Sequence, residues 1–208
     1  MTIQQIAEAV IGGKAAATQQ EVKNALQAGI KPEQILSDGL IAAMSEVGAR
    51  FERGEFYVPE MLIAARAMQS GLSILRPLLT EQAMAMRGKV VIGTVKGDLH
   101  DIGKNLVAMM LEGAGYEVVD LGTDVPPEKF ASAVREHHPA LVGMSALLTT
   151  TMRNMKETIE AIEDIGLRGQ VKIIVGAAPL TEAFAKEVGA DGYAPDASRA
   201  VALAKSLS

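Results

Sequence analysis

The stretch "KVVIGTVKGDLHDIGKN", residues 89–105, joins a β-rich apolar run to a segment holding two aspartates, a histidine and two glycines. The run 89–95 has the apolar character of a strand covered on both faces, and the glycine-aspartate pair marks where it leaves the sheet. A helix fits over 102–114, so the stretch reads as strand, loop, helix: the opening half of a βαβ unit.

The same rhythm continues downstream. Further strands are expected at "EVVDLG" (117–122), "ALVGMS" (140–145), "VKIIVG" (171–176) and "DGYA" (191–194), with helices at 127–138, 151–166, 181–188 and 196–206. Such alternation predicts an α/β domain with right-handed crossovers and a five-stranded parallel sheet. Its expected strand order is flavodoxin-like (Rossmann-type), with ligands received beyond the carboxyl ends of the strands. Upstream, residues 1–85 carry helical periodicity and almost no strand signal. Ile3, Ile6, Ala7 and Val10 share a face before Gly12-Gly13, and Thr18 is placed to cap a second helix with Glu21 three residues on. Pro32 opens a third, which carries Ile35, Leu40, Ile41, Met44 and Val47 inward; "EMLIAARAMQSGLSILRPLL" (60–79) forms a fourth. Four helices with short joints predict an N-terminal four-helix bundle, residues 1–87. It is joined near "MRGK" (86–89) to the sheet domain, residues 88–208.

The length of 208 residues allows two modest cores, and a net charge of -5 gives no broad basic field for a nucleic-acid backbone. The absence of cysteine excludes disulfides, thiolate metal sites and cysteine nucleophiles, and is easiest to place in a reducing cytoplasm. The N-terminus lacks a basic leader, and no apolar run approaches the roughly twenty residues a spanning helix needs. The expectation is a soluble, cytoplasmic, unprocessed protein with no nucleic-acid or membrane partner. Eleven methionines, several at helical spacing, fit gap-filling in cores first.

In a sheet of this order the loops after strands one, three, four and five converge on one edge. They carry Gly97, Asp98, His100, Asp101, Ile102 and Gly103; Ser145, Leu147, Thr149 and Thr151; Gly176 and Ala177; Tyr193 and Ala194. Asp98, two residues before His100, is placed to hold the far nitrogen of the imidazole, which fixes its tautomer and raises its basicity as a metal ligand. The glycines allow a bulky partner to approach the backbone. The residues alone leave a second reading open, a solvated loop in which Asp98 caps the next helix and His100 has no role.

Other chemistries fit less well. A zinc site needs three or four converging ligands, whereas His137 and His138 sit together at a helix end before Pro139. A phosphate loop would carry a hydroxyl after Gly103-Lys104 and a different glycine spacing. A phosphoacceptor domain would end its third strand in aspartate, where this chain has Ser145.

Asp98-Leu99-His100-Asp101-Ile102-Gly103 is followed by 41 residues, Ser145-Ala146-Leu147, 28 residues and Gly176-Ala177. In order and spacing this resembles the D-x-H-x-x-G, S-x-L and G-G signature of cobalamin-binding domains. "VGARFERGEFYVPEMLIAARAM" (47–68) is similar to the helical cap that precedes this domain in methionine synthase and in the corrinoid proteins of anaerobic three-component methyltransferase systems. The total length is similar to the latter. Ala177 departs from the pattern where the second glycine is expected, a change the backbone tolerates at negative φ.

The resemblance implies a cobalamin cofactor, a corrinoid alternating between methylcobalamin and cob(I)alamin, with His100 replacing the cofactor's own tail base on cobalt. It implies that Asp98 holds His100 and that Thr151 supplies a relay hydroxyl. Ser145, Gly176, Ala177, Tyr193 and Ala194 would line the slot for the displaced tail. Gly97, Asp101, Ile102, Gly103, Leu147 and Thr149 would lie near the corrin, and Val58, Met61, Leu62 and Met68 of the cap would cover the methyl face. The implied function is methyl carriage, non-catalytic alone. A substrate-specific methyltransferase (methylamine, methanol or methoxylated aromatic donor) would load the carrier. A second methyltransferase would unload it to tetrahydrofolate or a thiol, with a reductive activation protein as third partner. Two alternatives belong to other classes. A cobalamin-dependent sensor or regulator is expected to have an attached output region, for which there is no room, and a basic DNA-reading helix. A cobalamin-binding mutase subunit would not need this cap and would be expected with a large catalytic barrel.

Overall fold

The structure, a computed structural model, describes residues 3–79 and 87–207. The chain divides into two compact units, one of residues 1–86 with 112–116 and one of residues 87–111 with 117–208. Part of the expected joint, Met86 of "MRGK", lies outside the described residues.

The first unit is helical. Helix α1 (Ile3–Ile11) buries Ile6, Ala9 and Val10. Helix α2 (Ala15–Gln27) begins three residues before the expected Thr18 cap. The alanines at 15–17 are strong helix formers that carry the first turn upstream. Thr18 is instead buried inside the helix, its Oγ1 donating to the Lys14 carbonyl at 3.1 Å. The third helical run, α3, opens at Pro32 with Pro32–Gln34, passes through a π-helical stretch at Ile35–Ile41 and continues as Ala42–Glu52. The wider π turn shifts the buried face, so that Leu36 and Ala43 join Ile35, Leu40, Met44 and Val47 inside while Ile41 is only half-buried. Helix α4 (Val58–Leu75) starts earlier than the sequence pattern indicates, with the Glu60 carboxylate accepting the Tyr57 N–H at 3.0 Å. It gives way to a 3-10 turn at Arg76–Leu78, where Pro77 lacks the N–H to continue. Of the residues proposed for the methyl face, Met61 and Met68 are buried, Leu62 is half-buried and Val58 is exposed.

The second unit is the expected α/β domain. Strands β1 (Lys89–Thr94), β2 (Glu117–Asp120), β3 (Leu141–Ser145), β4 (Lys172–Gly176) and β5 (Gly192–Tyr193) form one sheet in the order 2-1-3-4-5 with every pair parallel. Helices α5 (Ile102–Gly113), α6 (Pro127–His137), α7 (Arg153–Asp164), α8 (Glu182–Val188) and α9 (Ala197–Leu207) connect and follow the strands. A core of Val91, Val142, Ile173 and Val175 from the strands packs with Phe130, Met155 and Ile162 from the helices. Register sets the site: Thr94 lies beside Ser145, and Ser145 beside Gly176, so three strands release their chains at one level.

Candidate corrinoid site at the carboxyl edge of the sheet

The loop after β1 is shaped before any side chain acts. Asp98 N–H returns to the Val95 carbonyl at 3.1 Å, and Gly97 takes φ +79°, the left-handed value that the third position of a type II turn requires. The buried Thr94 hydroxyl then donates to the His100 carbonyl at 2.8 Å, and α5 starts two residues later.

Within this frame Asp98 is fully buried, 0% exposed. Its Oδ1 accepts the His100 backbone N–H at 3.1 Å and faces His100 Nδ1 at 2.7 Å. Its Oδ2 accepts the backbone N–H groups of Leu147 (2.8 Å) and Leu148 (3.2 Å) and the Thr151 hydroxyl (2.7 Å). Burial pushes the carboxyl toward its neutral form. The hydrogen bonds from Thr151, from the His100 ring and from the His100 and Leu148 backbone outweigh it and hold the group well below the usual carboxylate range.

An ionised carboxylate can only accept, so Nδ1 carries the proton and donates, which leaves the Nε2 lone pair available to a metal. The His100 side chain is 49% exposed. Among the described residues no group of three or more histidines, aspartates or glutamates converges as a metal cage. His100 could therefore supply one ligand to a metal that would bring its other ligands with it. The surroundings fit a flat apolar partner: Leu99 and Ile102, close to His100 along the chain, are 73% and 80% exposed, and Leu147 and Leu148, tied to Asp98, are exposed as well. Leaving four large aliphatic groups in water at one edge marks a binding surface. A Cβ added at Gly103 would meet nothing within 4 Å, leaving the first turn of α5 open to approach.

The remaining expected residues divide. Asp101 is exposed and accepts from Asn105 at 3.0 Å, and Thr149 is exposed. Ser145 is half-buried and its carbonyl accepts the Val95 N–H at 3.0 Å. A Cβ on Gly176 would stand 2.7 Å from the Ala194 carbonyl oxygen, so β4 and the chain after β5 approach as closely as glycine permits. Ala177 is absent from the positive-φ residues, which removes the backbone objection to alanine there; it and Tyr193 pack on the sheet core, while Ala194 is buried.

Four contributors are not evident in the sequence. The backbone N–H groups of Leu147 and Leu148 carry no side-chain signature. Asn154 Nδ2 donates to the Lys96 carbonyl at 2.6 Å, and Asp124 Oδ1 accepts the Gly97 N–H at 2.6 Å. Lys104 is 3% exposed and bound to Asp120 and to Asn105 Oδ1, so the Gly103-Lys104 pair belongs to the first turn of α5 and is no phosphate grip. His137 and His138 end α6 ahead of β3, at the opposite edge of the sheet.

Comparison with known proteins identifies relatives of the chain. Residues 88–202 match the family described as B12 binding domain, and residues 2–76 match a second family of the same description. The chain is 44% identical over 206 residues to the dimethylamine corrinoid protein of Methanosarcina barkeri, covering 99% of this chain and 96% of that one. It is 46% identical over 189 residues to the trimethylamine corrinoid protein of the same organism, covering 89% and 87%. Its fold superposes with a TM-score of 0.90, at 30% identity, on a chain of the methanol:cobalamin methyltransferase complex MtaBC from Methanosarcina barkeri, covering 99% of this chain and 78% of that one.

Proposed function

The chain belongs to the B12-binding domain family, and on that premise we propose that it is a corrinoid methyl carrier, working between a substrate-specific methyltransferase and a second methyltransferase. The observation that carries this reading is the Asp98–His100 pair at 2.7 Å, set at the strand edge in loops that also leave Leu99, Ile102, Leu147 and Leu148 exposed. Among donors, a methylamine is favoured by the dimethylamine and trimethylamine relatives.

When bound, the corrinoid supplies a cobalt that takes up and gives up a methyl group, chemistry no side chain can provide. His100 would offer Nε2 to the metal, and Asp98 fixes the ring through Nδ1. The Thr151 hydroxyl and the two leucine N–H groups keep the Asp98 carboxylate charged and aimed, so that orienting the ligand costs little reorganisation at each turnover. Gly97, through its left-handed φ, makes the turn that carries Asp98 into place, and Gly103 leaves the first turn of α5 open to a bulky partner. Ser145, Gly176, Ala177, Tyr193 and Ala194 form the rim that would hold the displaced tail. The acceptor side, a tetrahydrofolate or thiol methyltransferase, and a reductive activation protein follow as partners of such a cycle in the cytoplasm.

The test is reconstitution. The purified chain, loaded with cobalamin and reduced, is mixed with a dimethylamine, trimethylamine or methanol methyltransferase and its donor, and methylation is followed by the cofactor's absorbance. Methyl uptake from at least one methylamine system, removed by His100→Ala, is expected. Tight cofactor binding without methyl uptake from any of the three would favour the sensor or mutase alternatives.

A further inference from the structure

Two non-glycine residues among those described have positive φ. His138, at +45°, is the residue that ends α6, a common place for the left-handed conformation. Asp124, at +53°, ends no helix. It lies in the loop after β2, and its conformation needs another reason, because the left-handed region is unfavourable for side chains with a Cβ even though aspartate tolerates it better than most.

That conformation lets one residue grip the β1 loop twice. The Asp124 N–H donates to the Asp98 carbonyl at 2.9 Å, while its Oδ1 accepts the Gly97 N–H at 2.6 Å. The next residue, Val125, donates to the Thr94 carbonyl at 3.0 Å and bridges Val95, continuing the β1 pairing past the end of the strand. From the other side, Asn154 of α7 holds the Lys96 carbonyl. The turn at 96–98 is therefore clamped between two elements, and the position of Asp98 is set before its carboxylate meets His100, Thr151, Leu147 and Leu148.

We propose that Asp124 is a positioning residue for the His100–Asp98 pair: its strained backbone and carboxylate together fix the Gly97–Asp98 unit, and through it the tautomer and aim of the imidazole. The consequence for cofactor binding rests on His100 being the cobalt ligand; the positioning role itself does not. Backbone strain kept where it orders a ligand loop is a recurrent property of functional sites.

The test uses the full chain with Asp124→Gly, which keeps the backbone conformation accessible but removes the carboxylate, and Asp124→Asn, which retains both the conformation and an acceptor oxygen. In cobalamin-free protein at mildly alkaline pH, long-range 1H–15N NMR of His100 is expected to show a single Nδ1–H tautomer in the wild type and in Asp124→Asn, and a mixture in Asp124→Gly. With aquocobalamin as probe, Asp124→Gly is expected to weaken binding on the order of tenfold, and Asp124→Asn to restore it. An unchanged tautomer in Asp124→Gly overturns the proposal. Loss of far-UV circular dichroism in both variants also overturns it, in favour of a purely structural role. A scrambled tautomer together with unchanged cobalamin affinity supports the positioning role and overturns the ligand reading instead, so the two failures are distinct.

Discussion

The two edges of the same sheet carry similar charges and treat them differently. At the edge where the strands begin, Lys89 pairs with Glu117 at 3.4 Å, and Asp191 with Arg168 at 2.9 Å and Lys172 at 3.7 Å, all of these side chains partly exposed. At the edge where they end, one carboxylate, Asp98, is removed from water and given five hydrogen-bond donors. Partly exposed pairs trim a sheet end at little gain or loss, whereas a buried carboxylate with a full set of donors orders the groups bound to it. The lesson is that function follows the solvation of a charge more than its presence.

The contrast is sharpest at Asp98. Asp98→Ala leaves the Thr151 hydroxyl and the backbone N–H groups of Leu147, Leu148 and His100 without their acceptor, and should cost about 3 kcal/mol of stability in urea unfolding. A loss like that of a surface pair would erase the difference between the edges. Acid should expose the same asymmetry. The Asp98 carboxyl titrates below its unfolded value, so its contribution is complete above the ordinary carboxylate range of about 4 and is lost as pH falls toward its folded value. The stability gap between wild type and Asp98→Asn should narrow steadily below about pH 4, and a gap that widened there would reverse the assignment.

Smaller effects sharpen the comparison further. Gly176→Ala drives a methyl group toward the Ala194 carbonyl and should cost about 2 kcal/mol, lowering the midpoint of thermal unfolding. Thr151→Val, close to isosteric, removes one donor and should cost about 1 kcal/mol while broadening the His100 ring signals in NMR. Lys89→Ala at the opposite edge should change unfolding by no more than about 0.5 kcal/mol, and a larger loss would give that edge a role it has not been assigned.

Much of this was legible in the residues. The alternation after Lys89 fixed the parallel sheet, and the parallel sheet brought Asp98, His100, Ser145, Thr151 and Gly176 to one edge although they are scattered over 79 positions, 98 to 176. What stayed hidden has a physical cause in each case. Asp124 sits after β2, a loop with no place in the motif pattern, and a positive φ leaves no mark when the residue is aspartate and not glycine. The donors on Leu147 and Leu148 are backbone groups that every residue except proline possesses. In the helical unit, Thr18 has the side chain of a cap but follows three alanines that extend the helix past it, and the π turn at Ile35–Ile41 changes the periodicity from which the buried face was read. Local pattern set the elements; non-local hydrogen bonds decided which polar groups became part of the site.

The central claim, that His100 is the protein ligand to cobalt, is open to one direct measurement. The chain contains three histidines, two of them at the far edge of the sheet, so uniform 15N labelling of histidine marks a single candidate ligand. In the electron paramagnetic resonance spectrum of the cob(II)alamin-loaded protein, replacing 14N-histidine by 15N-histidine should convert each superhyperfine triplet into a doublet, and His100→Ala should abolish the effect. A triplet that persists in the labelled protein would place the cofactor's own base on the metal and contradict the account.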